Sequence, residues 1–194
     1  MGRKYFYSVQ GDKRIESILK HGTYLDYGNH GVVYRVSKDK VAKIFCEADV
    51  FEKELAILRR ASGNKAFPKV YGVGKYYIIR EYIDGERLDI YIKNNPFDKK
   101  VYVNLYVLLQ ELKKMNFKKI DLRLRDLYLQ KDKTIRVIDP KNSLTKSMPY
   151  PRHLMKNLHS IGALYDFLRV VKEISPWDYE FWSKSFKEYL ANNE

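Results

Sequence analysis

Residues 121–139 read Asp121-Leu122-Arg123-Leu124-Arg125-Asp126-Leu127-Tyr128-Leu129-Gln130-Lys131-Asp132-Lys133-Thr134-Ile135-Arg136-Val137-Ile138-Asp139. Apolar residues form two short runs, Leu127 to Gln130 and Thr134 to Ile138, on either side of the polar turn 131–133. Such a pattern predicts a β-hairpin. Folding it about Asp132 sets residue 127 opposite 137 and residue 125 opposite 139. Asp126 and Asp139 then meet at the open end, with Asp121 just before it in the chain. Three carboxylates converging there repel one another unless cations intervene. Hard divalent metals bound by oxygen relieve that repulsion, and Mg²⁺ needs only one or two carboxylates plus substrate phosphates. The competing reading has these acids capping turns or pairing with Arg123 and Arg125.

Upstream, Leu25 to Tyr27 and Gly31 to Val36 read as strands around a turn holding Gly28, Asn29, His30 and Gly31. Glycines at 28 and 31 let backbone N–H groups approach a phosphate without side-chain interference, though a plain hairpin turn has the same pattern. A third strand spans Lys40 to Phe45, and its Lys43 must face either solvent or an anion. The next segment, Glu47 to Ala61, is helical. Val50, Glu54, Ile57 and Ala61 share one stripe of it, at i, i+4, i+7 and i+11. A carboxylate within an apolar stripe is costly to bury unless a cation pairs with it, and Lys43 is the natural candidate. The alternative leaves Glu54 at the stripe's edge, in water.

Strands at Lys69 to Gly74 and Tyr76 to Tyr82 complete a strand-rich first part with one helix. A break at Asp84-Gly85 follows, and from Leu88 the texture is helical. Tyr102 to Met115 reads as one helix and Leu154 to Lys172 as one long helix. Trp177, Tyr179, Phe181 and Trp182 read as core aromatics of a final helix. The expected fold class is α+β: an antiparallel β lobe with one helix over 1–82, then a reduced, mainly helical lobe over 83–194.

Lys plus Arg number 37 and Asp plus Glu 24 in 194 residues, a formal charge of +13. That balance suits an anionic partner, nucleic acid included, but no nucleic-acid-binding motif accompanies it, and a solvated lysine-rich surface is the plain alternative. A hydrophobic fraction of 45% excludes wholesale disorder. The single cysteine, Cys46, excludes an internal disulfide, and no Cys/His cluster has zinc-finger spacing. The N-terminus lacks a signal-peptide core, and Phe6 breaks the myristoylation pattern. The longest apolar stretch, Val101 to Leu109, is far too short to span a bilayer. A soluble, cytoplasmic protein without membrane contact is the expectation.

From Asp26 to Asp139 these features resemble the protein-kinase-like fold, in order. Gly28 and Gly31 match the last two glycines of its Gly-rich loop, with Asp26 in place of the first. Val33 matches the valine beneath the adenine, Val41-Ala42-Lys43 resembles the V-A-x-K strand, and Glu54 resembles the helix glutamate that pairs with that lysine. Residues Glu81, Tyr82 and Ile83 resemble the hinge whose backbone holds adenine. Asp121 matches the catalytic-loop base, Asp126 stands where the family has its metal-binding Asn, and Asp139 matches the Asp of D-F-G. Besides Asp26 and Asp126, three further features depart from the pattern. Asp121 follows Lys119-Ile120 rather than His-Arg, Pro140-Lys141 replaces Phe-Gly, and only 55 residues follow Asp139.

That remainder leaves little room for a peptide-docking platform or for the substrate lobe of an aminoglycoside-type kinase. The pattern is similar to small atypical kinases of the RIO and KEOPS-associated types and to bacterial probable serine/threonine-protein kinases. The resemblance implies an ATP- and Mg²⁺- (or Mn²⁺-) dependent kinase acting on Ser or Thr of an unknown protein or of itself. Its site would comprise Lys43, Glu54 and Asp121 with metal on Asp126 and Asp139. The nucleotide would be held by 28–31, Val33, Ala42, Lys43 and 81–83. An ATPase switch on an RNA or ribonucleoprotein partner and a scaffold without turnover are the alternatives.

Overall fold

A computed structural model of the chain describes residues 12–28, 30–95, 97–117, 120–139 and 147–192. Asn29, Lys119, Pro140 and Lys141 therefore lie outside the described residues. The chain divides after Ile83 into two compact units.

The first unit is built on a five-stranded antiparallel sheet of β1 (Thr23–Gly28), β2 (Gly31–Ser37), β3 (Lys40–Phe45), β4 (Val70–Gly74) and β5 (Tyr77–Glu81), in the order β1-β2-β3-β5-β4. Helix α1 (Lys13–His21) precedes the sheet and α2 (Ala48–Arg60) follows β3. The central strand β3 is buried on both faces, so it reads as a near-continuous apolar run rather than an alternating one. Ala42 and Ile44 join Ile15 and Ile18 of α1 in one cluster. Phe45 and Ile78 join Phe51, Leu55 and Leu58 of α2 in another. Helix α1 was not expected from the sequence. Asp12 starts it, accepting from the N–H groups of Arg14 and Ile15.

The second unit carries β6 (Glu86–Arg87), α3 (Leu88–Asn94), α4 (Lys99–Lys114), β7 (Leu127–Leu129), β8 (Ile135–Val137), α5 (Arg152–Ser160), α6 (Leu164–Ile174) and α7 (Pro176–Ala191). The hairpin register is the expected one, Leu127 opposite Val137. Beyond that pair a single bond follows, from Ile138 N–H to Asp126 O, and Leu124–Asp126 forms a 3₁₀ turn instead of a strand running on opposite residue 139. The long helix expected over 154–172 is two helices. Gly162 adopts φ 75°, Ala163 N–H donates to Leu158 O, and Gly162 N–H donates to His159 O. This Schellman stop ends α5 although the apolar spacing runs on into α6.

The core gathers Leu105, Leu109 and Leu112 of α4, Leu158 of α5, Phe167 of α6 and Trp182 of α7. Trp182 is fully buried as expected, whereas Trp177 is 70% exposed on the first turn of α7, which corrects its assignment to the core. Tyr179 and Phe181 are half-buried. Asp178, on that same turn, is buried and accepts from Tyr106, Gln110 and Lys113. Those three donors lie at i, i+4 and i+7 on α4, so one carboxylate pins α7 along a single stripe of that helix. Burial, with the Asp178 hydrogen bond added, pushes the Tyr106 phenol above its ordinary pKa. Among the described residues no helix is long and apolar enough to cross a membrane.

Candidate active site

Lys43 owes its surroundings to strand parity. On β3 it pairs with Val33 of β2 and Ile78 of β5, and residues 41, 43 and 45 share the face that α2 covers. Lys43 Nζ donates to Glu54 Oε2 at 2.5 Å, with the two side chains 9% and 8% exposed. The Phe45 ring lies 5.0 Å from the ammonium. A buried ion pair adds little net stability, because desolvation offsets most of the attraction. Its physical effect is to hold a cation in one place on an apolar sheet face. Glu54 Oε1 is buried with no hydrogen-bond partner among the described residues.

The glycine turn joins β1 to β2, with Gly28 and Gly31 paired across it. A Cβ on Gly31 would stand 2.1 Å from Ile44 O, so the close approach of β2 and β3 alone demands glycine there. A Cβ on Gly28 would meet nothing within 4 Å. The His30 carbonyl accepts from Cys46 N–H at 3.1 Å, tying the turn to the end of β3. Val33 stands half-buried beside Lys43. Ala42 does not. It is fully buried in the α1 cluster, on the opposite face from Lys43, and this corrects its assignment as a nucleotide contact. Strand alternation gives the Lys43 face to Val41 instead, two residues away. Glu81 N–H donates to Lys69 O and Tyr82 N–H to Asp39 O, whereas the Ile83 N–H has no partner among the described residues.

In the second unit the acids separate. Asp121, its side chain fully buried, accepts from His153 N–H at 2.6 Å and Leu154 N–H at 3.2 Å, and it is hydrogen-bonded to His153 Nδ1. It therefore caps the first turn of α5 across 32 residues of chain. Asp126 ends the 3₁₀ turn, its carbonyl accepting from Ile138 N–H at 2.9 Å, so Asp126 and Asp139 flank the open end of the hairpin. No three-carboxylate cluster forms among the described residues. The expected convergence is corrected accordingly, because two backbone amides and an imidazole claim the Asp121 carboxylate. Burial pushes the nearby Tyr150 phenol up, Arg152 opposes this, and the Asp121 charge adds to it.

No protein-family model matches the chain, and no curated protein matches it in sequence. Solved structures do. A 2.2 Å crystal structure of WbdD superposes with a TM-score of 0.55 at 16% identity, covering 85% of this chain and 44% of that one. A structure described as the bifunctional kinase-methyltransferase WbdD gives a TM-score of 0.54 at 17% identity, covering 82% and 42%. The chain has a protein-kinase-like fold. It spans under half the length of these WbdD chains. A streptomycin–ATP complex of APH(2")-IIa matches over 57% of this chain and 41% of that one, at 20% identity and a TM-score of 0.42.

Two residues of this kinase-like fold carry no sequence motif. Arg80, 6% exposed on β5, pairs in register with Val41 and so shares the Lys43 face. It has no hydrogen bond or ion pair among the described residues, and its Nε is buried. A cationic side chain this deep in the sheet was a findable signal, since arginine is rarely buried unpaired. His153 is the second. A carboxylate only accepts, so Nδ1 carries the proton given to Asp121, which leaves Nε2 as the acceptor nitrogen of a side chain that is 39% exposed. Asp126 and Asp139 are the hard oxygen donors that Mg²⁺ or Mn²⁺ takes, and two carboxylates with phosphate oxygens suffice for such an ion. The residues present thus fit a divalent metal at the hairpin's open end.

Proposed function

We propose that the protein is an ATP-dependent, Mg²⁺- or Mn²⁺-requiring phosphotransferase acting on a hydroxyl acceptor, with Ser or Thr side chains, its own included, as first candidates. The observation that carries this reading is the buried Lys43–Glu54 pair on a sheet face that also holds Val33 and Val41. Lys43 would bind the α- and β-phosphates and Glu54 would orient it. The free Ile83 N–H is the donor available to an adenine edge. Asp126 and Asp139 would hold the metal, which when bound supplies charge neutralisation at the phosphates.

Asp121 enters the chemistry as a positioning residue. Both its oxygens are already engaged, one by two backbone amides and the other by the imidazole, so the proton of the acceptor hydroxyl goes to His153 Nε2 while Asp121 fixes the ring. The γ-phosphorus–oxygen bond to the β-phosphate breaks, a phosphorus–oxygen bond to the acceptor forms, and ADP leaves. Catalysis of this kind rests on positioning and charge rather than on covalent participation by the protein.

Thermal melting with Mg·ATP tests the reading. A ligand at one hundred times its Kd adds about 2.7 kcal/mol of stability, which moves the midpoint by several degrees. Lys43→Ala and Asp139→Asn should each lose that shift. An undiminished shift in Lys43→Ala refutes the assignment, and no shift in the parent protein returns the chain to the scaffold reading.

A further inference from the structure

The residues between Asp121 and Asp126 do more than connect two acids. Leu122 and Leu124 are buried, so the alternation of the segment turns Arg123 and Arg125 outward together. Both arginines line a cleft of about 320 Å³ with Asp89 of α3 and His153, Asn157 and Ser160 of α5. That volume is the size of a small-molecule site. Asp89 contributes little free negative charge, because Arg87 engages both its oxygens at 3.1 and 2.6 Å. Arg123 makes no hydrogen bond or ion pair among the described residues, and Arg125 has only the adjacent Asp126 carboxylate, 4.0 Å from its Nε. The Asn157 Oδ1 accepts from Leu124 N–H and the Ser160 hydroxyl donates to Asn157 O, so neither oxygen offsets the two arginines. The cleft is therefore cationic, with two guanidinium groups unspent.

We propose that this cleft is the acceptor subsite of the phosphotransferase, and that the acceptor carries a phosphate group beside the hydroxyl to be modified. The proposal rests on the reading given under Proposed function. Two planar guanidinium forks suit the tetrahedral oxygens of a phosphate, which they can engage in paired, charge-assisted hydrogen bonds. His153 lines the same cleft, with Nδ1 committed to Asp121. A hydroxyl next to the bound phosphate thus meets the one ring nitrogen left to take its proton. A polycationic acceptor is disfavoured by the same two charges.

Isothermal titration with inorganic phosphate tests the subsite without requiring turnover. Binding should persist in Lys43→Ala, which removes the nucleotide-phosphate contact. It should weaken at least tenfold in the Arg123→Gln/Arg125→Gln double variant, while Mg·ATP still raises the melting temperature of that variant. Phosphate binding that disappears in Lys43→Ala, that is unchanged in the double variant, or that is absent from the parent protein overturns the subsite. Loss of the Mg·ATP shift in the parent, with phosphate binding intact, would instead be a failure of the phosphotransferase reading. Two further ligands separate the sources of the phosphate. Glucose 6-phosphate outcompeting glucose marks a small phosphorylated acceptor. A phosphoserine-containing peptide outcompeting its unphosphorylated form marks a phosphoprotein. Preference for both unphosphorylated forms contradicts the proposal.

Discussion

Replacing Asp121 should unfold the second unit before it reports on chemistry. The carboxylate accepts two backbone amides of α5 and the His153 ring from a fully buried position. Asp121→Ala strands the amides of His153 and the fully buried Leu154, each at about 1–3 kcal/mol for an unsatisfied donor. The lost charge at the helix N-terminus adds about 0.3–1 kcal/mol. Allowing for non-additivity, the total is about 3–5 kcal/mol. Asp121→Asn keeps an oxygen for the amides and loses only the charge and the imidazole bond, so about 1–2 kcal/mol is expected. Urea unfolding followed by tryptophan fluorescence reads this unit directly, because Trp177 and Trp182 both lie on α7. With a slope of about 2 kcal/mol per molar urea, the alanine midpoint falls by about 2 M and the asparagine midpoint by less than 1 M. An unfolding free energy for Asp121→Ala within about 0.5 kcal/mol of the parent would refute the cap, since that is the scatter of an ordinary surface change.

The remaining predictions concern groups whose partners are equally explicit. Asp178→Ala deprives Tyr106, Gln110 and Lys113 of a shared buried acceptor and should cost about 3–5 kcal/mol in the same unfolding assay, with Asp178→Asn recovering part; a loss under 1 kcal/mol would contradict the network. Burial pushes the Asp98 carboxyl up, but hydrogen bonds from Tyr91, Val101 N–H and Lys133 outweigh it and hold the group below the usual carboxylate range. A depressed acid contributes stability above its unfolded pKa of about 3.9 and loses it as pH falls through the folded value. Asp98→Asn should therefore be destabilising by about 0.5–1 kcal/mol at neutral pH and indistinguishable from the parent in strong acid; a deficit that grows on acidification has the wrong sign. Arg80→Met replaces a buried cation without a partner and should raise the stability of the ligand-free protein by about 1 kcal/mol while shrinking the Mg·ATP-dependent melting shift; a destabilised apoprotein would show that Arg80 is already satisfied.

Where two residues had to solve one another's electrostatic problem, the sequence announced them. A lysine in an apolar strand and a glutamate in an apolar helix stripe are each costly alone, and β3 and α2 bring them together. The hairpin register was equally readable, because two apolar runs about a polar turn admit few pairings. Ala42 was misplaced by one residue of strand parity, which sends it to the α1 face. The fate of Asp121 was illegible for a different reason. Two of its donors are backbone amides more than thirty residues away, and an amide is the same in every residue. Gly162 was visible, but helical spacing continues across it, so only its left-handed conformation reveals the break between α5 and α6.

The central claim is that γ-phosphate moves from ATP to an acceptor hydroxyl. It is tested most directly by incubating the purified protein with γ-labelled ATP and either Mg²⁺ or Mn²⁺, alongside Lys43→Ala and Asp139→Asn, and following the label. The account predicts label on the protein or on an added phosphate-bearing acceptor, absent from both variants. Label released only as free phosphate would point to an ATPase switch, and label remaining on ATP with either metal would contradict the claim outright.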